Sequence, residues 1–143
     1  MNDGGMNAAL RRHSISITVQ PGDIDDLGHV NNAVYLRYIE DVARAHADFV
    51  GAGIAFMRGV GVVPVARSHL IRYHRPAYEG EELAVSTEVV SASGLRANRH
   101  NEVRRARDGE LLAEADTEWV WVDPERGRPR PIPRALLEKF GWA

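Results

Sequence analysis

The sequence predicts an α+β fold in which one long helix packs against an antiparallel sheet. Three observations support this: an alternating segment near the N-terminus, one long segment with helical periodicity, and several alternating segments after it. Strands that follow one another without intervening helices favour antiparallel pairing. The 143 residues fit one domain, which we place at 14–143, and no internal repeat or domain linker is visible.

The first strand and the long helix differ clearly in the spacing of their apolar residues. Ser14 to Val19 alternates apolar with polar residues, which predicts a half-buried strand. From about Asn32 to Val50 the apolar residues recur at helical spacing. The resulting stripe comprises Tyr35, Tyr38, Ile39, Val42, His46 and Phe49. A helix of this length spans about 28 Å, enough to cross several strands.

Local signals support the limits of this helix. Asn31 or Asn32 is a natural N-cap, and Gly51 is a natural C-terminal stop. Opposite charges four residues apart would stabilise the helix surface. These pairs are Arg37 with Asp41 and Glu40 with Arg44.

Four further strands are predicted after the helix. They are Val62 to Tyr73, Leu83 to Val90, Leu95 to Arg107, and Leu111 to Trp121. Asp108-Gly109 is typical of a two-residue hairpin between the last two strands. Neither face of Leu95 to Arg107 is apolar, which predicts an exposed or edge strand. Short helices are expected near Ile54 to Arg58 and from Pro133 to Phe140.

Composition excludes several classes of protein. A net charge of -2 and a pI near 6.3 argue against a strongly basic nucleic-acid-binding domain. The absence of cysteine excludes disulfides, thiolate metal sites and a cysteine nucleophile. No apolar run approaches the roughly 20 residues of a membrane helix. We therefore expect a cytoplasmic protein without a membrane partner, and a flexible leader over residues 1–13.

The segment from Asp23 to Tyr35 carries the strongest chemical signal. It lies between the first strand and the start of the long helix and contains three aspartates, His29 and two asparagines. Exposed N–H groups at a helix start stabilise a carbonyl oxygen that becomes negative. A carboxylate beside such a site is what acyl transfer requires. Asp23 and Asp26 are better explained as acceptors of hydrogen bonds from N–H groups of the loop.

The pattern D-x-D-x-x-G-H-V-N-N-x-x-Y, Asp23 to Tyr35, resembles the signature of hotdog-fold thioesterases of the 4-hydroxybenzoyl-CoA thioesterase type. Weaker similarity continues through Val65 to Ser68, Tyr73 to Pro76 and Pro131 to Pro133. The resemblance covers about Ser14 to Phe140 and implies a long central helix wrapped by a five-stranded antiparallel sheet.

The resemblance also implies roles for individual residues. Asp25 matches the catalytic carboxylate, as nucleophile or general base, and the N–H of Asn32 matches the donor that polarises the thioester carbonyl. The side chains of His29 and Asn32 match polar positions that some branches of the family use to orient water or the thioester. Glu40 is a second candidate for the catalytic carboxylate, although it could simply pair with Arg44. The aspartates and His29 could be mistaken for metal ligands, but no second cluster of ligands elsewhere in the sequence supports a metal site.

Substrate contacts are expected at basic and aromatic positions. Arg96 and Arg99 lie among several arginines of the strand Leu95 to Arg107, and the resemblance implies that basic residues near this strand hold the CoA nucleotide. Arg67 is a further candidate. Tyr35 is another, although its place on the apolar stripe favours a core role. A solvated edge that blocks aggregation is the alternative for the arginines.

These observations together predict an acyl-CoA thioesterase that needs no cofactor. An acyl carrier protein thioesterase fits the same motif, and a non-catalytic acyl-CoA-binding protein is the alternative from another class. The resemblance implies a homodimer or a homotetramer, in which sheets pair edge to edge and the site lies between chains.

Overall fold

The computed structural model describes residues 4–143, with side chains described from residue 7. Its helices are α1 (Gly4–Leu10), α2 (Val34–Phe49), α3 (Ile54–Gly59) and α4 (Arg134–Lys139). Its strands are β1 (Arg12–Thr18), β2 (Val63–Tyr73), β3 (Glu82–Ser93), β4 (Arg96–Arg105) and β5 (Leu111–Val122). Within these described residues, no helix is long and apolar enough to cross a bilayer.

The five strands form one antiparallel sheet in the order β1-β3-β4-β5-β2. Helix α2 packs on one face of this sheet, which we call the inner face. The alternation read from the sequence places the core correctly: Leu83, Val85 and Val89 of β3 are all buried, as are Ala113 and Ala115 of β5. The prediction of an α+β hotdog fold with a five-stranded antiparallel sheet is confirmed.

Helix α2 begins two residues later than predicted. The side chain of Asn31 accepts a hydrogen bond from the N–H of Ala33, and its carbonyl oxygen accepts one from Val34. These bonds form a turn at 31–33, so the regular helix starts at Val34. The predicted apolar stripe is buried as far as His46, but Phe49 is 68 % exposed because it lies in the last turn.

The predicted ion pairs along α2 are replaced by others. Arg37 pairs with Asp23 in the preceding loop rather than with Asp41. Arg44 lies 3.9 Å from Asp41, three residues earlier, rather than beside Glu40. Arg37 pairs with the loop carboxylate because Asp23 is buried and requires a hydrogen-bond donor, whereas Asp41 is partly exposed to water.

The prediction that β4 is exposed or at an edge is wrong. β4 lies between β3 and β5, at the centre of the sheet. Its inner positions hold Ala97, Arg99, Asn101 and Val103, all buried. The two polar members of this row are accommodated because they form hydrogen bonds with side chains of neighbouring elements.

Two local expectations are also corrected. Residues 106–110 connect β4 with β5, so the connection is longer than a two-residue hairpin. The expected flexible leader is partly structured: α1 occupies 4–10, and β1 begins at Arg12. The Arg11 side chain donates to the carbonyl oxygen of Gly141 and lies over the ring of Trp142, which fixes this segment to the C-terminal end. Residues 1–3 of that expectation lie outside the described residues.

Candidate active site

The loop between β1 and α2 is anchored by Asp23. This residue is only 4 % exposed, and its Oδ2 accepts hydrogen bonds from the Tyr38 hydroxyl at 2.8 Å and the Gln20 N–H at 3.0 Å. The Arg37 guanidinium binds Oδ1. Burial alone would raise the pKa of Asp23, but the hydrogen bonds from Arg37, Gln20 and Tyr38 together hold the pKa below its ordinary value. Asp23 therefore ties the loop to α2 as an ionised anchor.

Asp25 lies two residues further on, in a different environment. Its side chain is 24 % exposed. Oδ1 accepts a hydrogen bond from the N–H of Leu27 at 2.9 Å and lies 4.0 Å from Nδ1 of His29. Among residues 4–143, no donor binds Oδ2. One oxygen therefore orients the carboxylate, and the other is available for chemistry.

The backbone around Asp25 forms a tight loop. The Asp25 N–H donates to the carbonyl oxygen of His29, and the Gly28 N–H donates to that of Asp25, both at 3.0 Å. Gly28 has φ +87°, a conformation that strongly favours glycine. The His29 ring lies edge-on to Tyr78 at 6.5 Å. This arrangement brings the predicted residues Asp25 and His29 together and fixes their orientation.

The start of α2 completes the loop. Asn31 satisfies the N–H groups of Ala33 and Val34, and the Tyr73 hydroxyl donates to the carbonyl oxygen of Asn32 at 2.8 Å. The N–H of Asn32 meets no acceptor within the part of the chain that the structure describes. A donor at a helix start that lacks a protein partner can bind the oxygen of a ligand.

Two other predicted residues make no hydrogen bond or ion pair with Asp25 in the described chain. Tyr35 is 2 % exposed and packs edge-on against the rings of Tyr38 and Tyr73, so it belongs to the core and not to a surface that substrate reaches. Burial raises its pKa to about 12. Glu40 is exposed and lies about 9 Å further along the helix axis than Val34. Within one chain, Glu40 is therefore not part of the Asp25 loop.

The predicted arginines do not form a single patch. Arg96 and Arg67 meet on the outer face of the sheet, where both bind Glu118, at 3.0 and 3.3 Å. Arg99 points to the inner face and is 8 % exposed, because side chains alternate along a strand. Arg104 lies near the far end of β4, about 26 Å from Arg96 along the strand. The expectation that Arg99 joins Arg96 in a surface site is therefore wrong.

A cavity of about 250 Å³ lies between the C-terminal half of α2 and the inner face of the sheet. Its lining is mostly apolar and aromatic and includes Ala47, Ala97, Trp119, Trp121 and Phe140. Glu40 and Arg99 line it as well. This cavity was not predicted from the sequence, although polar residues at inner positions of β3, β4 and β5 indicate that a polar group lies beneath α2.

Arg99 and His46 form a buried pair beside this cavity. Nη1 of Arg99 donates to Nδ1 of His46 at 2.9 Å, and Nε2 of His46 lies 2.7 Å from the carbonyl oxygen of Leu10. Burial, with the nearby Arg99 charge, lowers the pKa of His46 to about 4. The imidazole is therefore neutral at pH 7, with its proton on Nε2.

The loop can support acyl transfer. It presents an oriented carboxylate with one free oxygen and, in the same turn of chain, a backbone donor at a helix start. Residues 4–143 contain no cluster of three or more His, Asp or Glu side chains suited to a metal ion.

Comparisons with known proteins agree with this architecture. Residues 19–140 match the model of a family described as the thioesterase-like superfamily. The chain is 28 % identical over 138 residues to the acyl-CoA thioester hydrolase YbgC of Escherichia coli O157:H7, covering 94 % of this chain and 98 % of that protein. It is 23 % identical over 128 residues to the chloroplastic acyl-acyl carrier protein thioesterase ATL3 of Arabidopsis thaliana, covering 90 % and 67 %.

Solved structures show the same fold. A 1,4-dihydroxy-2-naphthoyl-CoA thioesterase from Synechocystis superposes with a TM-score of 0.82 at 20 % identity, covering 90 % of this chain and 95 % of that one. The family model spans most of the chain, and the fold agrees with it. This chain belongs to the thioesterase-like superfamily and is a thioester hydrolase.

Proposed function

We propose that this protein hydrolyses an acyl-CoA, with Asp25 as the catalytic carboxylate and the N–H of Asn32 as the oxyanion donor. One observation supports this most directly: Oδ1 of Asp25 is held by Leu27 N–H, while Oδ2 accepts no bond from residues 4–143. Membership of the family indicates the class of reaction, and the Asp25 carboxylate is the group that we propose carries it out.

Two routes lead to the same products. In one, Oδ2 of Asp25 attacks the thioester carbonyl, the C–S bond breaks, and water hydrolyses the resulting anhydride. In the other, Asp25 removes a proton from the attacking water. In both, the N–H of Asn32 binds the oxygen of the tetrahedral intermediate, and CoA leaves as its thiol after it takes up a proton. His29, 4.0 Å from Asp25, orients the water or the thioester.

We further propose a homodimer formed through the free edge of β2. Within residues 4–143 the sheet has two edge strands, β1 and β2. The exposed positions of β1 are polar, whereas β2 exposes Val65, Leu70 and Tyr73. Such an exposed apolar edge strand is a ready partner for a second copy.

Antiparallel pairing of β2 would complete the site. Tyr73, at the end of β2, binds Asn32 beside the Asp25 loop, and Pro64, at its start, lines the cavity. Two-fold pairing brings the Tyr73 end of one chain beside the Pro64 end of its partner. The acyl group would then enter the partner's cavity while its thioester carbonyl lies at Asp25. This arrangement also brings the partner's Glu40 and its Arg67–Arg96 pair towards the thioester.

Arg67 and Arg96 are the proposed contacts of the CoA nucleotide. Both are exposed and share a single carboxylate, Glu118, which leaves donors for phosphate oxygens. Arg99 is excluded from this role by its burial. Hydrolysis of an acyl-carrier-protein thioester is the second candidate, because relatives named for that activity align with 90 % of the chain.

A panel of thioesters tests the proposal. Matched acyl groups are offered as the CoA thioester, the carrier-protein thioester and the N-acetylcysteamine thioester, and released thiol is measured. The CoA thioester is expected to be hydrolysed with the highest kcat/KM. Preference for the carrier protein would favour the second candidate, and saturable binding without thiol release would favour a binding protein.

A further inference from the structure

Arg99 is a buried cation without an anionic partner among the residues that the structure describes. Its two side-chain hydrogen bonds both leave from Nη1 and end on neutral groups, Nδ1 of His46 and the hydroxyl of Thr87. Within the described residues, no carboxylate oxygen lies within 4.0 Å of its guanidinium nitrogens. The Phe140 ring, 5.6 Å from the guanidinium carbon, offers only a weak cation–π contact.

A buried charge of this kind is unfavourable unless a partner binds it. Charges are rarely buried unless they are paired, because burial removes their hydration. Burial lowers the pKa of Arg99 to about 10, which still leaves the guanidinium charged at pH 7. Nη2 and Nε donate to no acceptor among residues 4–143, and Arg99 lines the cavity. Nη2 and Nε of Arg99 can therefore both donate hydrogen bonds to a ligand bound in the cavity.

The lining of the cavity contains further donors besides Arg99. The buried indole N–H groups of Trp119, Trp121 and Trp142 make no hydrogen bond in the described chain, and all three residues line the cavity. The side chains Glu40, Arg44 and Asp48 are also in the lining, but they are exposed, at the solvent side. Apart from these exposed side chains, the polar side-chain groups of the lining are the guanidinium of Arg99 and the three indole N–H groups, all of them donors, and the rest of the lining is apolar.

We propose that this cavity selects acyl groups that end in a carboxylate, which pairs with Arg99. This inference rests on the proposed hydrolysis of an acyl-CoA and adds the substrate class, the monothioester of a dicarboxylic acid. The carboxylate accepts from Nη2 and Nε, and the methylene chain packs against the tryptophans. Hydrolysis adds water to the thioester, breaks the C–S bond and releases the dicarboxylic acid and the CoA thiol.

The cavity volume limits the length of the acyl chain. At roughly 30 Å³ for each non-hydrogen atom, the volume that a water molecule occupies in the liquid, about eight such atoms fill 250 Å³. The part of an adipoyl group beyond its thioester carbonyl contains four methylenes and one carboxylate, which is close to this limit. Adipoyl-CoA and hexanoyl-CoA therefore form a matched pair with equal carbon number.

Ligand binding without catalysis provides the first test. Tryptophan fluorescence reports on the cavity, because Trp119 and Trp121 line it. The full chain is titrated with hexanoate and with hexanamide, which has the same length and no charge. We expect hexanoate to bind at least tenfold more tightly. Equal binding of the two, or no saturable response to hexanoate, would overturn the proposal.

Hydrolysis by the same protein provides the second test. We expect kcat/KM for adipoyl-CoA to exceed that for hexanoyl-CoA at least tenfold. Arg99→Gln should bring this ratio close to one, and Arg99→Lys should keep part of it. A ratio near one in the unmodified protein would contradict the proposal without any variant having to fold. If neither thioester is hydrolysed, the proposed function fails, and the hexanoate titration still decides whether the cavity selects carboxylates.

Discussion

Oδ1 of Asp25 accepts a hydrogen bond of 2.9 Å from the N–H of Leu27, two residues later in the same loop. This bond fixes the rotation of the carboxylate and leaves Oδ2 without a donor in the described chain. An oriented and unencumbered carboxylate oxygen is what a nucleophile or a general base requires.

Asp25→Asn should therefore lower kcat by about a hundredfold or more, since an amide neither removes a proton nor forms an anhydride. The fold should persist, because Asn can accept the same bond from Leu27. Asp26→Asn is the matched control, since Asp26 is exposed and its side chain makes no hydrogen bond or ion pair within the described residues. Thiol release from acyl-CoA measures both variants. An active Asp25→Asn protein together with an inactive Glu40→Gln protein would move the catalytic carboxylate to α2.

Asp23→Asn should destabilise the fold by about 1–3 kcal/mol, as expected when a buried carboxylate loses its charge-assisted hydrogen bonds. The pKa of Asp23 is lowered in the folded state, so its contribution is present above the unfolded pKa and disappears as pH falls through the folded pKa. Urea unfolding at pH 7 and at pH 3 measures this. The difference between the two proteins should be clear at pH 7 and smaller at pH 3. An equal difference at both values would show that the charge of Asp23 is not the cause.

The double variant Arg67→Ala/Arg96→Ala should raise KM for acyl-CoA much more than it lowers kcat, because these residues would bind only the nucleotide. The same variant should hydrolyse an N-acetylcysteamine thioester normally, since that substrate lacks the nucleotide. Equal losses with both substrates would assign the two arginines a structural role instead. Arg104→Ala, near the other end of β4, is the matched control.

Leu70→Lys should weaken the proposed dimer, because it places two like charges near the two-fold axis of paired β2 strands. Ser14→Lys on the opposite edge strand is the control. Light scattering at micromolar concentration measures the mass of each. A monomeric unmodified protein would contradict the proposed interface.

Complementation tests the shared site. Inactive Asp25→Asn chains are mixed with chains whose cavity is filled by Ala97→Leu, after both have been dissociated and refolded together. Each mixed dimer then contains one intact site, formed by Asp25 of one chain and the open cavity of the other. Recovered activity is the expected result. No recovery, with mixed dimers demonstrated by mass, would place Asp25 and its cavity in the same chain.

The sequence predicts the elements of this fold well because their patterns are local. Alternation identifies the buried faces of β3 and β5, and helical spacing identifies α2. The position of β4 was not predictable in this way, since Arg99 and Asn101 look like surface residues until their tertiary partners are known. The same holds for Arg37, whose partner Asp23 lies in a loop 14 residues earlier.

The candidate site shows a similar division. Asp25, His29 and Asn32 are close in sequence, so a short motif predicts their proximity. The cavity arises from packing of α2 and the C-terminal segment on the inner face, and no local pattern specifies its volume. His46 on an apolar stripe, together with Thr87 and Thr117 at inner strand positions, was the signal that a polar group lies beneath the helix.

The hydrogen bonds on the inner face also affect the register in which the strands pair. Thr87 donates to Asn101, and Asn101 donates to Thr117, across three adjacent strands. A shift of β4 by one residue would turn His100 and Glu102 inwards and leave Thr87 and Thr117 without these partners. Misaligned pairings during folding would thus bury charged groups and lose bonds that only the native register provides. These polar side chains specify the register of the central strand in addition to the burial of its apolar residues.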